Sequence, residues 1–310
     1  MRSASLEPQR PESAEVITEA LSSKHARLVV AAAHLVKARR LEGYNQVLKA
    51  AYRRFLDDPV KRDPGCQAKL AVLEALDYSE TMDDEPFVAA TSLVQPEPAW
   101  GAPADTAAPC RARAVLALAR LGHPDLALFA GPLLADPDVS VRATTAEALG
   151  HSGSRPAAGL LLHKLAVGDE DPLVLLACMS SVLSLAAEVA LERFVPLLAG
   201  RDEQRRELAA MCLGQSGRAD ACQALVAALA ACVLSRERGV LLKALGLHRS
   251  DSALEALLEV VEGPNDADAQ AAIAALAPRR FEPGLRARLE KVTQDRADLS
   301  ATLAATFRDP

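Results

Sequence analysis

The sequence predicts an all-α fold, a right-handed α-solenoid of about eight stacked helix pairs. Three observations lead there. First, ~60 alanines and ~50 leucines make about a third of the 310 residues strong helix formers. Second, strand formers are scarce: Ile17 and Ile273 are the only isoleucines and aromatics amount to 3%, so the 50% apolar content can build a core through helices and hardly through sheets. Third, Ala148-Leu149-Gly150-His151-Ser152-Gly153 recurs as Cys212-Leu213-Gly214-Gln215-Ser216-Gly217, with Ala244-Leu245-Gly246 following, a period near 32 residues. A charged fraction of 25% argues against global disorder.

The elements follow in chain order. Residues 1–15 are polar, carry two prolines and lack the apolar core of a secretory signal, so they read as a flexible tail. Residues 16–57 read as a basic helical cap of two longer helices. Residues 60–293 hold the repeats, anchored on Leu76, Leu118, Leu149, Leu183, Leu213, Leu245 and Leu276. Each unit reads as a helix ending near its anchor, a polar turn, a second helix and a loop. In the unit around Leu149, Asp136-Pro137 is expected to open the first helix, with Gly150 and Gly153 breaking it. The wider gap between Leu76 and Leu118 exposes an insertion at 95–104 containing Pro96, Pro98, Pro103 and the single tryptophan, Trp100. Residues 295–310 form a closing helix and tail. A helix pair this small cannot bury its own apolar face, so the units must stack.

The run Asp136-Pro137-Asp138-Val139-Ser140-Val141-Arg142, continuing to Ala148-Leu149-Gly150, resembles the HEAT repeat in its bacterial, phycobilisome-lyase-like form. The resemblance implies a ladder between repeats, made by an acid and a base six positions later. Asp63/Lys69, Asp105/Arg111 and Asp136/Arg142 are the complete rungs here, which assigns these residues a structural role. Later units depart from it: Leu176 stands opposite Glu170, Gly200 precedes Arg206, Cys232 precedes Arg238 and Ala269 faces Gly263. The tract Val94–Gly101 with Asp105–Ala108, and Asp63–Lys69 upstream, is similar to a group of bacterial HEAT-repeat proteins. That implies a shared insertion and brings no activity with it.

No phosphate loop, dinucleotide fingerprint, zinc-protease helix or serine nucleophile elbow occurs. The six histidines are dispersed without a second ligand at helical spacing, and the six cysteines form no Cys-x-x-Cys pair, so metal, disulfide and cofactor chemistry are not expected. Asp83-Asp84-Glu85 and Asp169-Glu170-Asp171 precede helices and read as solvated N-terminal charge. No uncharged stretch reaches the ~20 residues of a membrane span. The expected protein is cytoplasmic and not an enzyme.

What remains is a surface for a protein or peptide. Second helices line the concave side in the HEAT family; ten and fourteen residues past the anchors come Leu128, His163, Arg193, Gln223, Glu255, Glu259 and Arg286, a ridge running from apolar to charged. Trp100 is expected to pack over the seam between units as a plug, with a ligand-contacting anchor as the alternative. Nucleic-acid binding or alkyl-base glycosylase-like chemistry is the second functional reading, set back by a net charge of −6 and few aromatics; a lyase-like cofactor chaperone is the third. Residues 21–70 carry a charge of +7 and residues 71–110 one of −8, so the cap is either neutralised by the adjacent acids or recruits an anion.

Overall fold

The computed structural model describes residues 11–79 and 82–308. The chain forms two compact units, residues 1–160 and 161–310. In the first, α1 (Pro11–Ser22), α2 (Ala26–Arg39) and α3 (Asn45–Arg54) precede the short α4 (Pro59–Arg62). The repeats begin with α5 (Gln67–Tyr78) and α6 (Glu85–Thr91). Strands β1 (Pro96–Glu97) and β2 (Ala104–Asp105) follow, then α7 (Ala108–Arg120), α8 (Leu126–Leu133) and α9 (Val139–His151). Helix α10 (Ala157–Val167) runs across the division. The second unit continues with α11 (Pro172–Leu185), α12 (Ala187–Phe194), α13 (Glu203–Gln215), α14 (Ala219–Ala231), α15 (Ser235–Leu247), α16 (Asp251–Glu262), α17 (Asp266–Ala275), α18 (Leu285–Thr293) and α19 (Ala297–Thr306).

The fold is an α-solenoid: successive first helices pack on one another, α5 on α7 and α7 on α9 in the first unit, α11 on α13, α13 on α15 and α15 on α17 in the second. All seven anchor leucines are buried; burial of each such side chain contributes roughly 1.5–3 kcal/mol. The expected cap of two helices contains three. The Ser23 hydroxyl accepts from the His25 N–H in the turn between α1 and α2, and Gly43 supplies a positive φ of 87° before α3. Of the expected tail, residues 11–15 belong to α1, where Pro11 suits a first helical turn; the rest lies outside the described residues. No helix among the described residues is long and apolar enough to cross a membrane.

Helix α9 opens two residues later than Asp136-Pro137 suggests, because Asp138 is its cap and accepts from the N–H groups of Ser140 (2.8 Å) and Val141 (3.2 Å). Gly150 does not break α9, which continues to His151. The equivalent glycines show what the position is for. A Cβ on Gly214 would fall on the carbonyl oxygen of Ala244 in the next first helix, with the carbonyl carbon at 3.0 Å; one on Gly246 would meet the Ala275 carbonyl, its carbon at 2.9 Å. Glycine here lets two helix backbones touch, at the expense of local helix propensity.

The ladder is held by its cations. Lys69 and Asp63 are wholly buried 2.9 Å apart, and Asp63 also accepts from the N–H groups of Ala68 and Lys69. Arg111 donates to Asp105 in its own unit (2.5 Å) and, by two nitrogens at 2.7 and 2.9 Å, to Asp136 of the next. Arg142 donates to the carbonyl oxygens of Asp136 (2.8 Å) and Pro137 (3.1 Å). The later units, in which the sequence shows no rung, have one all the same. Arg206 bonds the Gly200 carbonyl (2.8 Å) and pairs with Glu237 (3.2 Å); Arg238 bonds the Cys232 carbonyl (2.9 Å) and pairs with Asp268 (2.7 Å). The acid has moved from thirteen to eight residues before the anchor, while the arginine has kept its place. Where Leu176 replaces the cation, Lys164 pairs with the buried Asp169 at 2.7 Å, so that carboxylate is not the solvated charge the sequence suggests.

The two kinds of glycine give opposite signs. Gly246→Ala is expected to destabilise the protein by about 1–3 kcal/mol through overpacking, whereas Gly239→Ala, in the same helix but facing open space, should stabilise it by up to about 1 kcal/mol. Urea unfolding of both variants checks this; a stabilising Gly246→Ala would contradict the close approach.

Candidate functional site

The insertion folds into a hairpin, and the reason lies in its prolines and in its base. Pro96 and Pro98 cannot donate to a helix or to a long ladder. What forms is a two-residue antiparallel pairing, Pro96 opposite Asp105 and Glu97 opposite Ala104, with the Thr106 N–H donating to the Gln95 carbonyl at 3.0 Å. Gly101, at φ 106°, turns the chain at the far end beside Trp100.

The base is fastened to the first repeat from several directions. One oxygen of the Glu97 carboxylate accepts from the Gly65 N–H (2.6 Å), the Gln95 amide (2.7 Å) and the Thr106 hydroxyl (2.8 Å). These bonds, the Gly65 N–H foremost, hold the Glu97 carboxyl below its ordinary range. The buried Gln95 amide also donates to the Asp63 carbonyl at 2.9 Å. Asp105 accepts from the Gln95 N–H (2.8 Å), the Ala107 N–H (3.1 Å) and Arg111, which in addition donates to the Leu93 carbonyl (2.8 Å). Two ladder residues, Asp63 and Arg111, are thus also the hairpin's footing. Gly65 offers its N–H from a backbone at φ 75°, a conformation that disfavours other residues.

Trp100 stands at the tip and is fully exposed. The expectation of a buried plug is therefore incorrect. The tract does not fold back over the junction because its backbone pairs with itself and its polar base, not its apolar tip, bonds the repeat. The signal was present in the sequence: Gln95 and Glu97 alternate with Pro96 and Pro98, and Asp105-Thr106 follow the tract, as hydrogen-bonding groups that a plug would not need.

The expected ridge residues all lie exposed on second helices or their ends. In the first unit this is Leu128, 72% exposed on α8. In the second unit it is His163 on α10, Arg193 on α12, Gln223 on α14, Glu255 and Glu259 on α16 and Arg286 on α18. Two of the charges are already engaged: Glu255 takes both nitrogens of Arg288 (2.7 and 2.9 Å), and Arg286 pairs with Glu290 (2.9 Å). The described residues contain no cluster of three or more His, Cys, Asp or Glu able to hold a metal.

The profile described as HEAT repeats matches residues 103–181, the stretch that contains the Asp105/Arg111 and Asp136/Arg142 positions. No curated protein matches the chain significantly. Among solved structures, human deoxyhypusine hydroxylase is 16% identical, with 84% of this chain and 95% of that one covered and a TM-score of 0.35. A mutant of Kap121p is 13% identical over 97% of this chain and 42% of its own, at a TM-score of 0.45. The complex of CpcE and CpcF of phycocyanin lyase from Nostoc sp. is 18% identical over 83% and 97%, at 0.30.

Because the folded Glu97 carboxyl lies below its unfolded value, its stabilising bonds are present above the unfolded pKa and are lost as pH falls through the folded one. Glu97→Ala is expected to lower the melting midpoint near pH 7 by about 2–4 °C. The difference from wild type should shrink as the pH is taken below about 4. Thermal melts across pH check both; a difference that grows on acidification would contradict the assignment.

Proposed function

We propose that the protein is a non-catalytic scaffold that binds a protein or peptide partner, with Trp100 as the principal contact and the second-helix ridge as accessory surface. One observation carries the reading: the single tryptophan is held out in solvent on a hairpin whose base is fixed by at least six hydrogen bonds to side chains. Indole burial is among the strongest contributions to protein recognition, and a contact presented on an ordered support loses little conformational freedom on binding. A hairpin that served only to bridge two helices would have no use for an apolar tip. Leu128 is the ridge position available to a partner in the first unit; His163, Arg193, Gln223 and Glu259 are those available in the second, taken by itself. In this reading the buried ionisable groups serve stacking and hairpin support, no cofactor enters, and the cysteines, five of them buried, support a cytoplasmic location.

The test uses the lone tryptophan as its own reporter. Its emission in the isolated protein is expected to be red-shifted and readily quenched by iodide, and to shift blue when partner binds. Trp100→Ala should abolish capture of specific proteins from the native host, identified by mass spectrometry, while leaving the circular dichroism melt unchanged. A blue-shifted, protected emission in the isolated protein, or capture indifferent to the substitution, would contradict the proposal.

A further inference from the structure

Part of the basic cap is neutralised within the molecule. Lys37 pairs with Glu74 at 2.8 Å, Lys49 with Asp83, and Arg53 with Glu85, so the +7 and −8 segments meet as ion pairs. Of the cations outside these three pairs, four come together in one place. Lys24 and Arg27, at the start of α2, and Lys61 and Arg62, in α4, line a single hollow of about 460 Å³ with His25, Ala26 and Asp58, a size within the roughly 300–1,000 Å³ of small-molecule sites. Lys24, Arg27 and Lys61 have no ion-pair partner among the described residues. Arg62 has only an exposed contact with Asp57 at 3.5 Å, and Asp58 is the one acid on the wall.

The walls are tied to each other. Arg54 of α3 donates to the Leu21 carbonyl at the end of α1 (2.7 Å), and Arg62 donates to the Arg54 carbonyl (3.3 Å). The four cations are thus carried on segments held in register, and Asp57, beside Arg62, and Asp58 on the wall offset only part of their mutual repulsion. Beside the hollow, the Arg54 guanidinium is held below its ordinary range by burial first and then by the charge of Arg62. Helix α2 also begins with no acid in its first turn and no side-chain cap, which adds to the positive potential without being its source.

We propose that this hollow is a binding site for a small diphosphate- or triphosphate-bearing anion. Several cations converging on one cavity match a compact ligand with several ionised oxygens, whereas a monovalent anion would engage only one or two of them. No phenylalanine, tyrosine or tryptophan lines the hollow and His25 is its one ring, so the succession of stacking platforms that single-stranded nucleic acid uses is not provided there. The site is separate from the Trp100 hairpin, and either assignment can fail without the other.

Isothermal titration of the full chain with pyrophosphate, orthophosphate and duplex DNA tests it, at ~50 and ~200 mM salt. Pyrophosphate is expected to bind, more weakly at the higher salt, with orthophosphate at least about tenfold weaker. Arg27→Glu/Lys61→Glu should weaken pyrophosphate by at least about tenfold with an unchanged melt, and Arg39→Glu, an exposed cation of the same cap outside the hollow, should not. No binding of pyrophosphate at millimolar concentration, an equal loss in Arg39→Glu, or DNA binding that pyrophosphate does not displace would each overturn the proposal.

Discussion

A cation taken out of water must be given several oxygen acceptors at once, and in this protein that requirement organises the repeats. Lys69, Arg111, Arg142, Arg206 and Arg238 occupy one position, seven residues before the anchor leucine, and each is buried or mostly buried. From there Arg142, Arg206 and Arg238 bond the backbone carbonyl that closes their own loop. Arg111, Arg206 and Arg238 also take a carboxylate from the following repeat. A guanidinium has enough donors to do both, and the loop it closes sets where the next first helix begins. Removing one partner of such a group would leave the other buried and uncompensated, a loss of about 3–5 kcal/mol where burial is complete.

The glycines complement this polar seam. First helices approach until backbone meets backbone at Gly214 and Gly246, and the contact area gained there offsets the weak helix propensity of glycine. The hairpin at 95–105 is attached to the seam itself: Gln95 reaches the carbonyl of Asp63, and Arg111 holds Asp105 with one nitrogen while its others hold Asp136. Display of Trp100 and stacking of the repeats are therefore consequences of the same buried charges.

The helical period, the anchor leucines and the first two rungs were legible because burial of one face and one pair of charges repeats at a fixed interval. The later rungs were not, because the rule applied to the sequence fixed the acid at thirteen residues before the anchor. Glu237 and Asp268 stand at eight, on the first turn of the helix instead of in the loop, and only three-dimensional packing shows that both places reach the same arginine. Gly150 was misread as a breaker because a glycine that ends a helix and one that the helix runs through, as α9 does to His151, look alike in a single chain. Trp100 was misplaced for a related reason: apolar character alone favours burial, and the polar groups that hold the hairpin upright, Gln95, Glu97, Asp105 and Thr106, act on its base and not at its tip. That the ridge residues are exposed was legible from spacing, but not that Glu255 and Arg286 are already paired.

One buried arginine couples hairpin and stack, and amide hydrogen exchange on an Arg111→Met variant reads both sides of that coupling. Protection is expected to fall together at the Thr106 N–H, which bonds Gln95 across the hairpin, and at the start of α9, where Asp138 donates its N–H to Asp136. Loss at only one of the two places, or unchanged protection at both, would contradict the claim that the ladder supports the display of Trp100.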